Sequence, residues 1–142
     1  MFTKILMPID LQETDLATRA VQTAIDEARK HSAEIYVLTV IPDFGLPLVA
    51  SFFPDDAIKD AMKSVARELK KYIKANIPDD ITAHPLIADG SPSEIILNQA
   101  KKLKADLIII PSHAQSIGQV FLGSCAAKVV ERAHCSVMVI KN

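Results

Sequence analysis

The feature that most constrains the fold of this chain is a regular alternation of short apolar runs with segments of helical hydrophobic period. Five runs are short, rich in apolar or β-branched residues and bounded by turn formers, which predicts strands. They span residues 2–9, 35–41, 81–87, 105–110 and 136–140. The segments between them repeat apolar residues three and four apart, which predicts four helices. Strands this apolar are covered on both faces, so we expect one open parallel sheet with helices on both sides.

Two of the predicted helices have recognisable start signals. Thr14 or Asp15 is placed to cap the first helix, because side-chain oxygens at this position accept the free N–H groups of a first turn. The segment 91–94 (Ser-Pro-Ser-Glu) has serine at the N-cap, proline at the first helical position and glutamate at the third, which predicts a capping box. The last helix is predicted over residues 123–133, after a loop that begins at Ser112.

Length and composition limit the class of protein. A chain of 142 residues has room for one domain, here taken as residues 1–142, and 49% hydrophobic residues argue against disorder. The formal net charge of −1 provides no general attraction to nucleic acid or to an anionic membrane. No apolar run approaches the length of about 20 residues that a membrane-spanning helix needs, and the N-terminus does not read as a signal peptide. We therefore expect a cytoplasmic protein with no membrane or nucleic-acid partner.

Two features are not assigned to a site. The four histidines and two cysteines lack metal-ligand spacing, so no metal centre is predicted. The segment 42–54 carries three prolines and several large apolar residues and is predicted to be a loop. Such a loop can act as a partner surface, cover a ligand or pack against the sheet or a second subunit, and the sequence does not choose among these roles.

The segments that follow the strands are where a ligand is expected, because open α/β sheets bind ligands beyond the carboxyl ends of their strands. Asp10 follows the first strand and can accept hydrogen bonds from a ribose or a purine edge, or it can simply cap a turn. Gly123-Ser124 precedes the last helix, where free N–H groups and the helix dipole favour an anion. The alternative is that Ser124 only caps its own helix.

These blocks, in this order, resemble the universal stress protein family, in particular its short single-domain bacterial members. The resemblance implies a Rossmann-like fold of the adenine-nucleotide alpha-hydrolase type, with strand order 3-2-1-4-5. It also implies binding of ATP or another adenine nucleotide with Mg²⁺ or Mn²⁺, and dimerisation through the last strand. The likeness covers nearly the whole chain and is carried by residues 5–10, 38–41, 90–92, 105–110, 112–113, 122–124 and 129–140.

Members of the family that bind ATP typically carry the pattern Gly-x2-Gly-x9-Gly-Ser/Thr. In this chain Pro111 and Ala114 occupy the first two glycine positions, eight residues separate Ala114 from Gly123, and Gly123-Ser124 matches the end. Glycine can turn its N–H toward a phosphate at positive φ, whereas alanine is hindered there and proline has no N–H. Residues 112–127 contain no lysine or arginine. A triphosphate would therefore depend on backbone dipoles, a histidine, serine hydroxyls and a divalent cation.

The resemblance also assigns roles by position. Asp10 resembles the residue that meets the adenine or the ribose, and Val40 resembles the strand residue whose backbone meets the adenine. Gly123 and Ser124 would hold phosphates. The predicted nucleotide site as a whole comprises Pro8, Ile9, Asp10, Val40, Ser112, His113, Gly123 and Ser124.

Two functions compete on this evidence. The first is a regulatory protein that binds ATP and hydrolyses it slowly or not at all, since the phosphate loop offers no base and no cation for phosphoryl transfer. The second is a dimeric interaction protein that has lost nucleotide binding. The replacements at Pro111 and Ala114 favour the second, and residues 136–140 would form an edge that pairs with a copy of itself.

A phospho-acceptor receiver domain is a third class with the same alternating plan. Asp10, Asp89, Ser112 and Lys141 stand near the positions that such a domain requires. However, the first strand is followed by one acid where a pair is needed, and no helix follows the last strand. The pattern therefore argues against this class.

Overall fold

The computed structural model describes residues 1–42, 55–112 and 123–141. Five parallel strands form one open sheet in the order β3-β2-β1-β4-β5, which confirms the predicted fold class and strand order. The strands are β1 (Lys4–Pro8), β2 (Glu34–Pro42), β3 (Ala83–Gly90), β4 (Leu107–Ser112) and β5 (Ser136–Lys141). The helices are α1 (Thr18–His31), α2 (Asp55–Asn76), α3 (Pro92–Leu103) and α4 (Ser124–Arg132).

The sheet is covered on both faces, as its apolar strands require. Side chains alternate along each strand, so that in β4 Leu107 and Ile109 face one layer while Ile108 and Ile110 face the other. The first layer contains the apolar sides of α1 and α2, and the second contains those of α3 and α4. The central strands β1 and β4 are almost fully buried, which places their carboxyl ends between the two helical layers.

The third and fourth strands lie later in the sequence than predicted. The apolar pattern placed the third strand at residues 81–87, but β3 spans Ala83–Gly90. Ile81 is buried by the turn that precedes β3 without joining the ladder, whereas the polar Asp89 pairs with Ile41 of β2. In this region the apolar residues therefore predicted which side chains are buried, but the strand pairing extends beyond them along the chain. Similarly, β4 continues through Ser112, which the sequence analysis had assigned to the following loop.

The predicted helix caps are partly wrong. Thr14 begins a short 3₁₀ helix that ends at Ala17, and Ala17 is then the N-cap of α1, so neither Thr14 nor Asp15 caps α1. Ser91 is the N-cap of α3 and Pro92 occupies the first turn as predicted, but no side-chain capping bond forms. The N–H of Ile95 instead donates to the Ser91 carbonyl at 3.0 Å, and the proline has already removed one free donor from this turn.

A carboxylate ties the amino ends of β1 and β4 together. The Asp106 side chain accepts hydrogen bonds from the Thr3 N–H (2.8 Å), the Lys4 N–H (3.1 Å) and the Thr3 hydroxyl (3.0 Å). Partial burial alone would raise the pKa of Asp106, but these donors outweigh burial and hold the pKa of this carboxyl below its ordinary value. The charged form of Asp106 therefore stabilises the folded state.

Candidate functional site

A cavity of about 440 Å³ opens at the carboxyl end of the sheet. It lies where β1 is flanked by β2 on one side and β4 on the other, which is the point at which the strand order reverses. Both helical layers contribute to its walls, so it extends across the edge of the sheet from α2 to α4. The described lining residues are Pro8–Gln12, Leu38–Ile41, Val65, Glu68, Pro92, Ile96, Ile110, Pro111, Gly123, Cys125 and Ala126.

Asp10 stands at the mouth of this cavity in a local turn. One of its carboxylate oxygens accepts the N–H of Gln12 at 2.9 Å, and its backbone carbonyl accepts the N–H of Glu13 at 3.1 Å. The second carboxylate oxygen has no hydrogen-bond partner among residues 1–42, 55–112 and 123–141, and the side chain is exposed. Asp10 can therefore cap its turn and also accept a hydrogen bond from a ligand, because one carboxylate oxygen is available for each role.

The floor of the cavity is held by bonds between the ends of β1 and β2. The N–H of Ile9 donates to the Leu38 carbonyl at 2.8 Å, and the buried Thr39 hydroxyl donates to the Ile9 carbonyl at 3.4 Å. These bonds fix the backbone immediately before Asp10 against Val40. A ligand that meets these two residues therefore meets a preorganised surface.

The N-terminus of α4 forms another wall, and its first N–H groups have no acceptor among the described residues. Gly123 is the N-cap in an ordinary extended conformation, and having no side chain it makes no capping bond. The first bond of the helix runs from the Ala127 N–H to the Gly123 carbonyl at 2.9 Å. In the part of the chain that the structure describes, the N–H groups of Ser124, Cys125 and Ala126 have no acceptor. An anion placed here would satisfy them.

Cys125 lies at the cavity wall within this first turn. The side chain is half-buried, and burial raises the pKa of its thiol more than the nearby Lys128 lowers it. The thiol is therefore neutral at physiological pH and acts as a small apolar group.

Residues from α2 complete the cavity, and sequence reasoning missed them. Val65 and Glu68 are three positions apart and so share one side of the helix, which faces the cavity. Neither residue is among the eight that the sequence analysis assigns to the site. The signal that could have found Glu68 is its position next to the buried Leu69, on the flank of the apolar stripe.

The lining is apolar with two fixed negative charges. Asp10 and Glu68 are its only ionisable carboxylates, and no lysine, arginine or histidine is among the lining residues of the described ranges. A carboxylate at neutral pH accepts hydrogen bonds and cannot donate them. The cavity therefore suits a flat apolar body that carries hydrogen-bond donors, with any anionic group placed at α4.

The structure brings five of the eight predicted site residues to this cavity: Pro8, Ile9, Asp10, Val40 and Gly123. Ser112 is buried at the end of β4 and is not part of the lining, although Pro111 before it is. Ser124 is exposed at the start of α4, between two residues that line the cavity. His113 and most of the loop predicted over 42–54 lie outside the described residues. The roles of these residues stay predictions.

Within residues 1–42, 55–112 and 123–141, no group of three or more potential metal-ligating side chains comes together. Over the same ranges no helix is both long and apolar enough to cross a membrane.

The model of the universal stress protein family matches residues 1–141. The chain belongs to the universal stress protein family. A curated member, MJ0531 of Methanocaldococcus jannaschii, is 31% identical over 147 aligned positions, which cover 100% of this chain and 84% of that protein.

Solved structures agree with this assignment. The hypothetical protein MJ0577 superposes with a TM-score of 0.81 at 26% identity. The match covers 100% of this chain and 97% of the MJ0577 chain. UspA from Lactobacillus plantarum gives a TM-score of 0.73 at 27% identity, with 98% and 97% of the two chains covered.

Two other universal stress proteins were solved with ligands. One is a complex with cAMP, at a TM-score of 0.63 and 24% identity, covering 99% of this chain and 97% of that one. The other, from Archaeoglobus fulgidus, is a complex with dAMP, at a TM-score of 0.66 and 22% identity, with 99% and 98% covered. Because both identities are below 25%, these two structures show only that they share the fold of this chain.

Proposed function

We propose that this universal stress protein binds an adenine nucleotide, ATP with a divalent cation first among them, in the cavity at the carboxyl end of the sheet. The observation that carries the proposal is the combination, around one cavity, of N–H groups at the α4 N-terminus and a carboxylate oxygen of Asp10 that have no partner within residues 1–42, 55–112 and 123–141. The chain would act as one domain over residues 1–142, as a cytoplasmic regulatory protein that responds to nucleotide occupancy.

Each part of the nucleotide would meet complementary groups in the walls. The apolar side chains around Val40 and Val65 suit the base, and the open carboxylate oxygen of Asp10 suits the ribose hydroxyls. The N–H groups at the start of α4 suit the phosphates, with Gly123 allowing close approach and the Ser124 hydroxyl adding a donor. Ser112 and His113 would then stand beside the phosphates.

A divalent cation would neutralise the phosphates. Because the described lining carries two carboxylates and no cationic side chain, Mg²⁺ or Mn²⁺ would be held chiefly by phosphate oxygens and water. The cation would supply charge neutralisation. The protein would supply the dipole of α4 and the shape of the cavity.

Two relatives support the proposal through the ligands that they bind. Two universal stress proteins with this fold are complexes with cAMP and with dAMP, and both ligands are adenine nucleotides. Pro111 stands where ATP-binding members typically have glycine. The proposal that this chain binds a nucleotide is therefore argued from the residues of its own cavity.

We propose no fast catalysis. Stabilising the transition state of phosphoryl transfer normally needs a lysine, an arginine or an equivalent positive group at the transferred phosphate. The described lining supplies backbone N–H groups for this purpose and carboxylates that oppose it. Hydrolysis would be slow at most.

The proposal is tested by binding. The protein is purified without added nucleotide and denatured, and any released nucleotide is identified by chromatography. ATP, ADP and AMP are then titrated with Mg²⁺ or Mn²⁺ by calorimetry. We expect micromolar affinity for at least one of them, and no heat at millimolar concentrations of all three would refute the proposal.

A matched variant localises the site. Gly123→Val places a branched side chain at the α4 N-cap, where the backbone conformation tolerates any residue. We expect a loss of about 100-fold in affinity, because the phosphates can no longer approach the N–H groups, with a stability cost of about 1 kcal/mol. Ala127→Val, a change to an exposed position of the same helix, is the control.

The second candidate function is a dimeric interaction protein, and it is favoured by a separate observation. β5 is an edge strand whose outer side has no partner strand among the described residues, and Val130 on the adjacent α4 is 45% exposed. Pairing of β5 with its copy would bury this edge. Light scattering at several concentrations tests the dimer, and a monomer throughout would eliminate it.

A further inference from the structure

Glu68 is an unexpected part of the cavity wall. It is contributed by α2, which packs on one face of the sheet, while α4 packs on the opposite face. The cavity spans the carboxyl edge between these two layers. Glu68 therefore lies on the side away from the free N–H groups at which the proposed function places the phosphates.

The carboxylate of Glu68 is available to a ligand. Its side chain is exposed and makes no hydrogen bond or ion pair with any residue of the described ranges. Lys71, one turn further along α2, does not pair with it. A carboxylate without a partner that faces an otherwise apolar wall attracts a hydrogen-bond donor and repels an anion.

Electrostatics orients the ligand between the two walls. Phosphates are attracted by the α4 N-terminus and repelled by Glu68, so the base of a bound nucleotide points toward α2. The edge of an adenine that reaches Glu68 presents its 6-amino group, which is a donor. A base without an exocyclic amine presents no such donor at this position.

We propose that Glu68 is a specificity-determining residue that selects nucleotides by accepting a hydrogen bond from an exocyclic amine of the base. This inference rests on the proposed function, since it requires a nucleotide in the cavity. The chemistry it names is an aminopurine, and adenine is the aminopurine that the proposed function assigns. Guanine also presents donors to a carboxylate, so Glu68 distinguishes purines with an exocyclic amine from those without one.

The test compares two probes that differ only in the amine. The affinities of ATP and of purine riboside 5′-triphosphate, which is ATP without its 6-amino group, are measured with Mg²⁺ for the native protein and for Glu68→Ala. We expect the native protein to prefer ATP by about tenfold, because a hydrogen bond to a charged acceptor is lost with the amine. In Glu68→Ala we expect the preference to fall to about unity.

The control is Asp60→Ala, which removes the same charge from an exposed position of α2 outside the cavity. It should leave the preference at about tenfold. If Glu68 acted only through its charge, Glu68→Ala would change both affinities by one factor and leave their ratio unchanged, and that result overturns the inference. Alanine is a good helix former, and circular dichroism verifies that α2 and the fold are retained in both variants.

Failure of the inference and failure of the proposed function give different results. If the native protein binds neither triphosphate, the proposed function fails and the inference fails with it. If both bind and their ratio is the same in Glu68→Ala, the inference alone fails. If GTP binds more tightly than ATP and Glu68→Ala weakens GTP, the role of Glu68 stands and the assignment of adenine is overturned.

Discussion

The carboxylates at the two ends of the sheet differ in whether they have partners within the chain. At the amino end three described carboxylates have partners in the chain. Asp106 accepts three hydrogen bonds, Glu34 lies 3.3 Å from His84 Nε2, and Asp80 forms a two-point pair with Arg29 at 3.1 and 3.2 Å. These three acidic groups are therefore satisfied by the chain itself.

At the carboxyl end polar groups around the cavity are left without partners. Among the described residues Glu68 has none, one oxygen of Asp10 has none, and the first N–H groups of α4 have no acceptor. Water can hydrate such groups where they are exposed, so their concentration at one edge leaves hydrogen-bonding groups available to a ligand there. The comparison implies that changes at the amino end should alter stability and that changes at the carboxyl end should alter binding.

The largest expected effect in stability is at the amino end. Asp106→Ala removes one acceptor from three donors, and we expect a loss of about 2 kcal/mol in the free energy of unfolding with nucleotide affinity unchanged. Urea denaturation followed by circular dichroism measures the stability, and calorimetry measures the affinity. If Asp106→Ala is fully folded under the conditions of the titration and still binds nucleotide more weakly, the amino end also affects binding and the distinction between the two ends is wrong.

A smaller effect of the opposite kind is expected at Asp10. Asp10→Ala should weaken nucleotide binding about tenfold, because the acceptor for the ribose is lost, while stability falls by only about 0.5 kcal/mol from the exposed turn bond to Gln12. Asp15→Ala, at an exposed acid of the neighbouring 3₁₀ helix that does not line the cavity, should change neither quantity. Equal affinities for Asp10→Ala and Asp15→Ala would assign Asp10 to the turn alone.

The smallest effect is a dependence on pH at the amino end. The pKa of Asp106 is lower in the folded protein than in the unfolded chain, so its contribution is present above about pH 4 and is lost as the pH falls through the folded value. The native protein should therefore be more stable than Asp106→Asn at about pH 6, by less than about 2 kcal/mol, and this advantage should shrink by about pH 3. Urea midpoints of both proteins at the two pH values measure the change. A constant difference would show that the charge of Asp106 contributes nothing.

Much of the fold was predictable because its signals are local. The apolar runs that became β1, β2, β4 and β5 are bounded by turn formers, and burial on both faces follows from their composition. The third strand was displaced because Ile81 is buried outside the ladder while Asp89 pairs inside it. Pairing depends on the neighbouring strand, which local hydrophobicity does not describe.

The candidate site was predictable in part. Asp10 was found because it directly follows a strand and parallel strands end at one edge of a sheet, and Val40 was implied by the family resemblance. Val65 and Glu68 were missed because a helix residue joins the cavity only through the way α2 packs on the sheet. The cap predicted for α1 failed for a related reason, since the chain enters that helix through a 3₁₀ helix ending at Ala17.

The sequence by itself determined the alternation of strands and helices, the family and the residues at the ends of β1 and β2. These depend on the period of apolar residues and on short motifs, which are properties of neighbouring positions in the chain. Only the tertiary structure decided that α2 places a carboxylate across the cavity from the first N–H groups of α4, each without a partner among the described residues. That arrangement depends on which helix packs on which face of the sheet, and residues more than fifty positions apart meet there only after folding.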